Sequence, residues 1–100
     1  MTLSPSTVAN YQQLGAVVLR NVLTASEVTL LTEGISHNLA HLSPLAQVAS
    51  KADDPGRFIE DFCTWQNNPA YAHILRASAL PEVAKQLMQS TTARIYHDHL

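Results

Sequence analysis

Thr24 is followed three residues later by Glu27, and Leu23 and Val28 bracket the pair, so the chain carries a capping box closed by a hydrophobic staple. Beyond it Val28, Leu31, Ile35, Leu39 and Leu42 recur at spacings of three and four. Apolar residues at that spacing line one face of a helix, predicted here over residues 24–41, with Pro44 past its end. A helix with one apolar stripe has to bury it. In a chain of 100 residues the core that receives it is small.

The same local chemistry marks three further helices. Ser4-Pro5 caps and opens the first, Val8, Tyr11 and Leu14 form its stripe and Gly15 stops it, which gives residues 5–14. Asn68-Pro69 opens one over 68–77 carrying Tyr71, Ile74 and Leu75. Ser78 opens another over 79–89, with Pro81 in its first turn and Leu80, Val83 and Leu87 on one side. Ala16 to Arg20 is short, β-rich and uncharged until its end, and is predicted as a strand. Residues 43–57 hold the turn formers Asp54, Pro55 and Gly56 and read as a loop. Between Arg57 and Trp65, Phe58, Phe62 and Trp65 would share a helical face, so a short helix or turn is expected. Residues 92–99 switch to strand character. The class is therefore α+β, a mostly helical chain with one strand early and one late. That last strand has neither turn nor partner to bury a face, so the chain reads as the front part of a longer domain.

Composition narrows what such a chain does. Charged residues are 14% of the total, against roughly a quarter in typical soluble domains, which implies surface meant to be covered and predicts self-association. The net charge is −2 and the six Lys and Arg are scattered singly, so there is no basic stripe for nucleic acid. No apolar run approaches the roughly 20 residues of a membrane span, and the start MTLSPSTVAN lacks the blocks of a signal peptide. Cys63 is the sole cysteine, which excludes an internal disulfide and points to a reduced, cytoplasmic setting.

Few residues offer chemistry. His97 and His99 lie two apart and on a strand share a face, while Asp98 points to the other. Two histidines without a carboxylate on their side do not make the two-His one-carboxylate set of a non-haem iron. His37 and His41, with Glu33 one turn earlier, form a stripe on the far side of the long helix, expected to be solvated. Cys63, among Phe58, Phe62 and Trp65, is expected as a small buried hydrophobe rather than a nucleophile paired with His73. Asp53, Asp54, Glu60 and Asp61 lack the spacing of a calcium loop. Asp53 and Asp54 fit turn positions, and Arg57 and Glu60 fit a surface pair worth little.

The order of segments resembles a known family. Tyr11-Gln-Gln-Leu-Gly15-Ala-Val-Val-Leu-Arg20-Asn-Val-Leu-Thr24 is similar to the opening of the phytanoyl-CoA dioxygenase family, and Asp54-Pro-Gly-Arg-Phe-Ile-Glu-Asp-Phe-Cys-Thr-Trp65 and Ala93-Arg-Ile-Tyr-His-Asp-His-Leu100 resemble a bacterial branch of it. The resemblance runs over nearly the whole chain. It implies residues 1–100 of a single domain that goes on to form a double-stranded β-helix, a jelly roll. It further implies an Fe(II) and 2-oxoglutarate dependent hydroxylation of a small-molecule substrate.

In that family iron is held by an HxD motif and a distal histidine, with an arginine pairing the 2-oxoglutarate carboxylate. His97-Asp98-His99 reads HxH, so no iron ligand and no catalytic residue is carried onto this chain, and the chain alone is expected to bind neither iron nor 2-oxoglutarate. What the resemblance does imply is a pocket-side strand: His99 toward 2-oxoglutarate, and His97 with Phe62 and Trp65 toward substrate. Two readings result, the N-terminal portion of such a dioxygenase, inactive alone, or a non-catalytic helical module that binds a partner through an uncovered apolar face.

Overall fold

A computed structural model describes residues 1–100. Its elements in chain order are α1 (Pro5–Leu14), α2 (Ala25–Ala40), β1 (Gln47–Val48), β2 (Ile59–Glu60), a 3-10 turn (Trp65–Asn67), α3 (Pro69–Ala77) and α4 (Leu80–Met88). Four helices and a small two-stranded antiparallel sheet make an α+β fold.

Three of the four helices start at a side-chain cap, and α4 starts at Ala79 without one. The Ser4 hydroxyl accepts the Thr7 N–H at 3.1 Å, and Gly15, at φ 76°, closes α1 with its N–H on the Tyr11 carbonyl. At α2 both halves of the capping box form: the Glu27 N–H donates to Thr24 Oγ1 at 3.2 Å, and the Thr24 N–H to Glu27 Oε2 at 2.9 Å. That backbone N–H is the main reason the Glu27 carboxyl titrates below its usual range. Asn68 caps α3 and does more. Its Oδ1 accepts from the Ala70 and Tyr71 N–H groups, while its Nδ2 donates 3.0 Å to the Gly34 carbonyl in the middle of α2. One buried side chain thus sets the start of α3 and its height on α2.

α3 is the central element, lying against both α2 and α4, and α1 lies against α4. Gly34 permits α2 and α3 to approach closely, since a Cβ there would stand 2.5 Å from the Cβ of Ala70. Gln86 of α4 ties down the amino terminus, accepting from the Leu3 N–H at 2.7 Å and donating to the Met1 carbonyl at 2.8 Å. The core is correspondingly thin: Ala70, Tyr71 and Ile74 from α3 and Val83 from α4, with Asn38, Asp61 and Asn68 buried beside them.

Four expectations need correction. Ala16–Arg20 is not a strand. Val17 and Leu19 turn inward and Val18 is 76% exposed, the alternation of an extended chain, but no neighbouring segment offers a ladder. Residues 92–99 likewise form no continuous strand, and only their end pairs, through a bridge between Phe62 and His99. The stretch 57–65 is not one helical face. Ile59–Glu60 pairs with Gln47–Val48 across the supposed loop, in the register Gln47↔Glu60 and Val48↔Ile59, and this leaves Phe58 59% exposed. Finally, the buried side of α2 is rotated from the expected stripe. Leu31, Gly34, Ile35 and Asn38 face inward, whereas Val28 and Leu39 are exposed. The α2–α3 contact runs through Gly34, and the helix turns to present it.

Candidate functional site

The segment Asp61–Thr64 faces residues 98–100 across a short antiparallel pairing. Asp61 and Leu100 exchange both backbone bonds, at 3.2 and 2.9 Å, and the Cys63 N–H donates to the Asp98 carbonyl at 3.1 Å. Side chains on the two sides of this pair have different surroundings.

On the inner side Asp61, 1% exposed, is the centre of a polar knot. Its Oδ2 accepts from the Asn38 amide and the Ser43 N–H, each at 2.8 Å, and its Oδ1 from the Phe62 N–H and the Ser43 hydroxyl. The Tyr71 hydroxyl donates 3.0 Å to Asn38 Oδ1 and extends the knot to α3. Burial works against ionising Asp61, but the bonds from the Ser43 backbone and hydroxyl, the Asn38 amide and the Phe62 N–H hold its carboxyl down at about 2. The Tyr71 phenol is pushed up, first by burial and then by the charges of Asp98 and Asp61. An anion with four donors on its two oxygens is a structural hub; it has no protonation change to offer near neutral pH.

Phe62, His97 and His99 come together. The Phe62 ring centroid is 4.4 Å from that of His99 and 5.7 Å from that of His97, and the two imidazoles stand edge to face at 6.0 Å. Asp98 is turned away from this cluster, as strand alternation requires. Its Oδ2 accepts from the Thr64 N–H at 3.0 Å and hydroxyl at 3.2 Å, and its buried Oδ1 has no partner. His99 Nε2 lies 3.7 Å from Glu60 Oε1, so Glu60 faces His99 and forms no pair with Arg57. Trp65 has a different ring partner: the Arg76 guanidinium sits 4.7 Å over it, a cation–π contact with α3.

Cys63 departs from expectation. It is exposed, because its backbone takes a φ of 55° and turns the side chain out of the apolar layer. Its Sγ lies 3.6 Å from His97 Nδ1. A polar cleft of about 230 Å³ adjoins it, lined by His37, His41, Asn38, Thr64 and Asn67 among others. His37 and His41 stack at 4.4 Å and remain on the exposed side of α2 with Glu33. A second cleft, of about 250 Å³, is apolar and runs between Leu31, Ile35, Ile74 and Leu75 with Asp98 and His99 at its edge.

These side chains do not fit an iron centre. Nowhere do three His, Cys, Asp or Glu converge as metal ligands, and Asp98, the carboxylate nearest the two histidines in sequence, is engaged by Thr64 on the opposite side. The residues the sequence reading passed over are those of the knot, Asn38, Ser43, Asp61 and Tyr71. One signal for them was present: Asn38, three residues after Ile35 and seven after Leu31, is a polar side chain on the inward stripe of α2, where it needs a buried partner. Comparisons with protein-family models, with characterised proteins and with solved structures find no match to this chain.

Proposed function

We propose that residues 1–100 form the N-terminal part of an Fe(II) and 2-oxoglutarate dependent dioxygenase of the phytanoyl-CoA dioxygenase kind, acting in the cytoplasm on a small-molecule substrate. The observation that supports this reading is the pairing of residues 98–100 with 61–63. It sets Phe62, His97 and His99 on one side and turns Asp98 to the other, the arrangement expected of a jelly-roll strand bordering a pocket. In that setting His99 would face 2-oxoglutarate, and His97 and Phe62 would line the substrate space. Trp65, held by Arg76, would stand at the entrance. Iron and its co-substrate would supply the oxidising chemistry, and the ligands would come from an HxD motif and distal histidine that these residues do not contain. The test is the mass of the native polypeptide and its iron-dependent binding of 2-oxoglutarate by calorimetry. A product well above 10.9 kDa that binds 2-oxoglutarate only with Fe(II) is expected. A native product of 10.9 kDa, or a longer one without such binding, overturns the reading.

One observation favours a second reading, a non-catalytic module that binds a partner. Only eight residues are buried, and large apolar side chains such as Leu14, Val18, Phe58 and Tyr96 lie open. Exposed apolar side chains that join into one patch mark contact sites.

A further inference from the structure

The chain exposes more surface than its mass requires. A compact monomer of 10.9 kDa has about 5,600 Å² of accessible surface, and this chain has 7314 Å². Its radius of gyration is 16.2 Å, against about 13 Å for a compact domain of 100 residues. The excess, about 1,700 Å², is roughly twice the ~800 Å² that each partner contributes to a standard protein–protein interface.

Part of that excess has a direction. The backbone groups of Asp98 and Leu100 that form hydrogen bonds face Asp61–Cys63. In an extended chain successive residues present their N–H and C=O groups to opposite edges. Continuing the alternation backward, Ala93, Ile95 and His97 present theirs to the other edge, and none of the N–H groups from Ala93 to His97 donates a hydrogen bond within the chain. Tyr96 beside them is 100% exposed and Ile95 37% exposed. A free edge next to open apolar side chains is a template for another strand.

We propose that the occupant of this edge is a second copy of the chain, with the two Ala93–His97 segments antiparallel about a two-fold axis at Ile95. This deepens the second reading above, naming the partner of the module. The free edge belongs to the odd-numbered residues, and side-chain pairing across it chooses the register. Centring on Ile95 pairs Ile95 with Ile95 and Ala93 with His97, and uses only those free groups. It also sets Arg94 opposite the partner's Tyr96 twice, a cation–π pair in each half. Centring on Arg94 would use the same edge, through Ala93 and Ile95, but would oppose like charges at its centre. Centring on Tyr96 would set Arg94 opposite the partner's Asp98, whose carboxylate already accepts from Thr64. The segment contains Arg94 and no acidic residue, so nothing in it repels its own copy through this register.

Sedimentation velocity of residues 1–100 over nanomolar to micromolar concentrations tests the proposal. The expected result is a closed equilibrium between 10.9 kDa and twice that mass. Ile95→Pro, which removes the central donor, and Ile95→Lys, which sets two cations together, should each raise the dissociation constant at least tenfold with unchanged far-UV circular dichroism. Arg94→Ala should raise it severalfold. A monomer at every concentration, assembly beyond the dimer, or a dimer indifferent to both Ile95 variants overturns the proposal. A monomer would leave the module reading open to another partner, and the mass of the native polypeptide decides the dioxygenase reading independently.

Discussion

Asp61 and Tyr96 stand in segments that read alike, each a short β-favouring run near an aromatic cluster, and they have opposite environments. Asp61 is buried under four donors; Tyr96 touches solvent on all sides. The difference is not hydrophobicity, since the polar residue is inside and the aromatic one outside. It lies in what each segment meets. Asp61 meets two backbone N–H groups, an amide and a hydroxyl that would otherwise be unpaired, whereas the backbone N–H groups around Tyr96 find no acceptor within the chain. In a fold with so thin a core, hydrogen-bonding necessity places residues that apolar burial would have placed elsewhere.

The comparison breaks most sharply at the carboxylate. Asp61→Ala removes the acceptor from the Asn38 amide, the Ser43 N–H and hydroxyl and the Phe62 N–H at once. Buried donors left without partners make this a loss of about 3–5 kcal/mol, a large share of the stability of a small domain. Urea unfolding would read it; a loss below about 1 kcal/mol would mean that the knot is ornamental. Next in size is Gly34→Ala, whose new Cβ meets Ala70 at 2.5 Å. Overpacking there should cost about 1–3 kcal/mol, and Ala70→Gly in the same chain should recover part of it, so a double-mutant cycle distinguishes this clash from a helix-propensity effect.

Acid sharpens the same comparison without mutation. The folded pKa of Asp61, about 2, lies below its ordinary 3.8, so the unfolded chain binds that proton more tightly. The stabilisation is fully present above about pH 5 and is lost as pH falls through the unfolded value toward about 2. Urea midpoints from neutral pH downward should therefore drop over that window in the native chain and drop less in Asp61→Ala. Equal drops would place the acid sensitivity elsewhere.

These effects sit where the sequence was hardest to read. The helices were legible because their signals are local: Ser4 with Pro5, Thr24 with Glu27 and Asn68 with Pro69 each fix a start within a few residues, and all three caps form. Thr24→Ala should accordingly cost about 1 kcal/mol, read as a lower thermal midpoint. Strands were not legible, because Ala16–Arg20 and residues 92–97 have strand character without a partner, while Gln47–Val48 found one in Ile59–Glu60 across a turn. The shared side of His97 and His99 was legible from alternation alone. The knot was not, since Asn38 and Ser43 reach Asp61 across 23 and 18 residues, and no local spacing announces such a meeting.

The smallest expected effect decides whether the two regions really differ in kind. Tyr96→Ser removes the largest uncovered aromatic of the carboxyl-terminal segment, yet a side chain that loses no contact on unfolding contributes nothing to the folded state. Unfolding in dilute solution should shift by no more than about 0.5 kcal/mol, whatever happens to dimer affinity at higher concentration, where the partner's Arg94 would lose its ring. A shift above 1 kcal/mol in the dilute monomer would mean that Tyr96 is packed against the rest of the chain in solution. The free edge would then not exist, and the contrast between a region fixed by its donors and one waiting for a partner would collapse into a single cooperative unit.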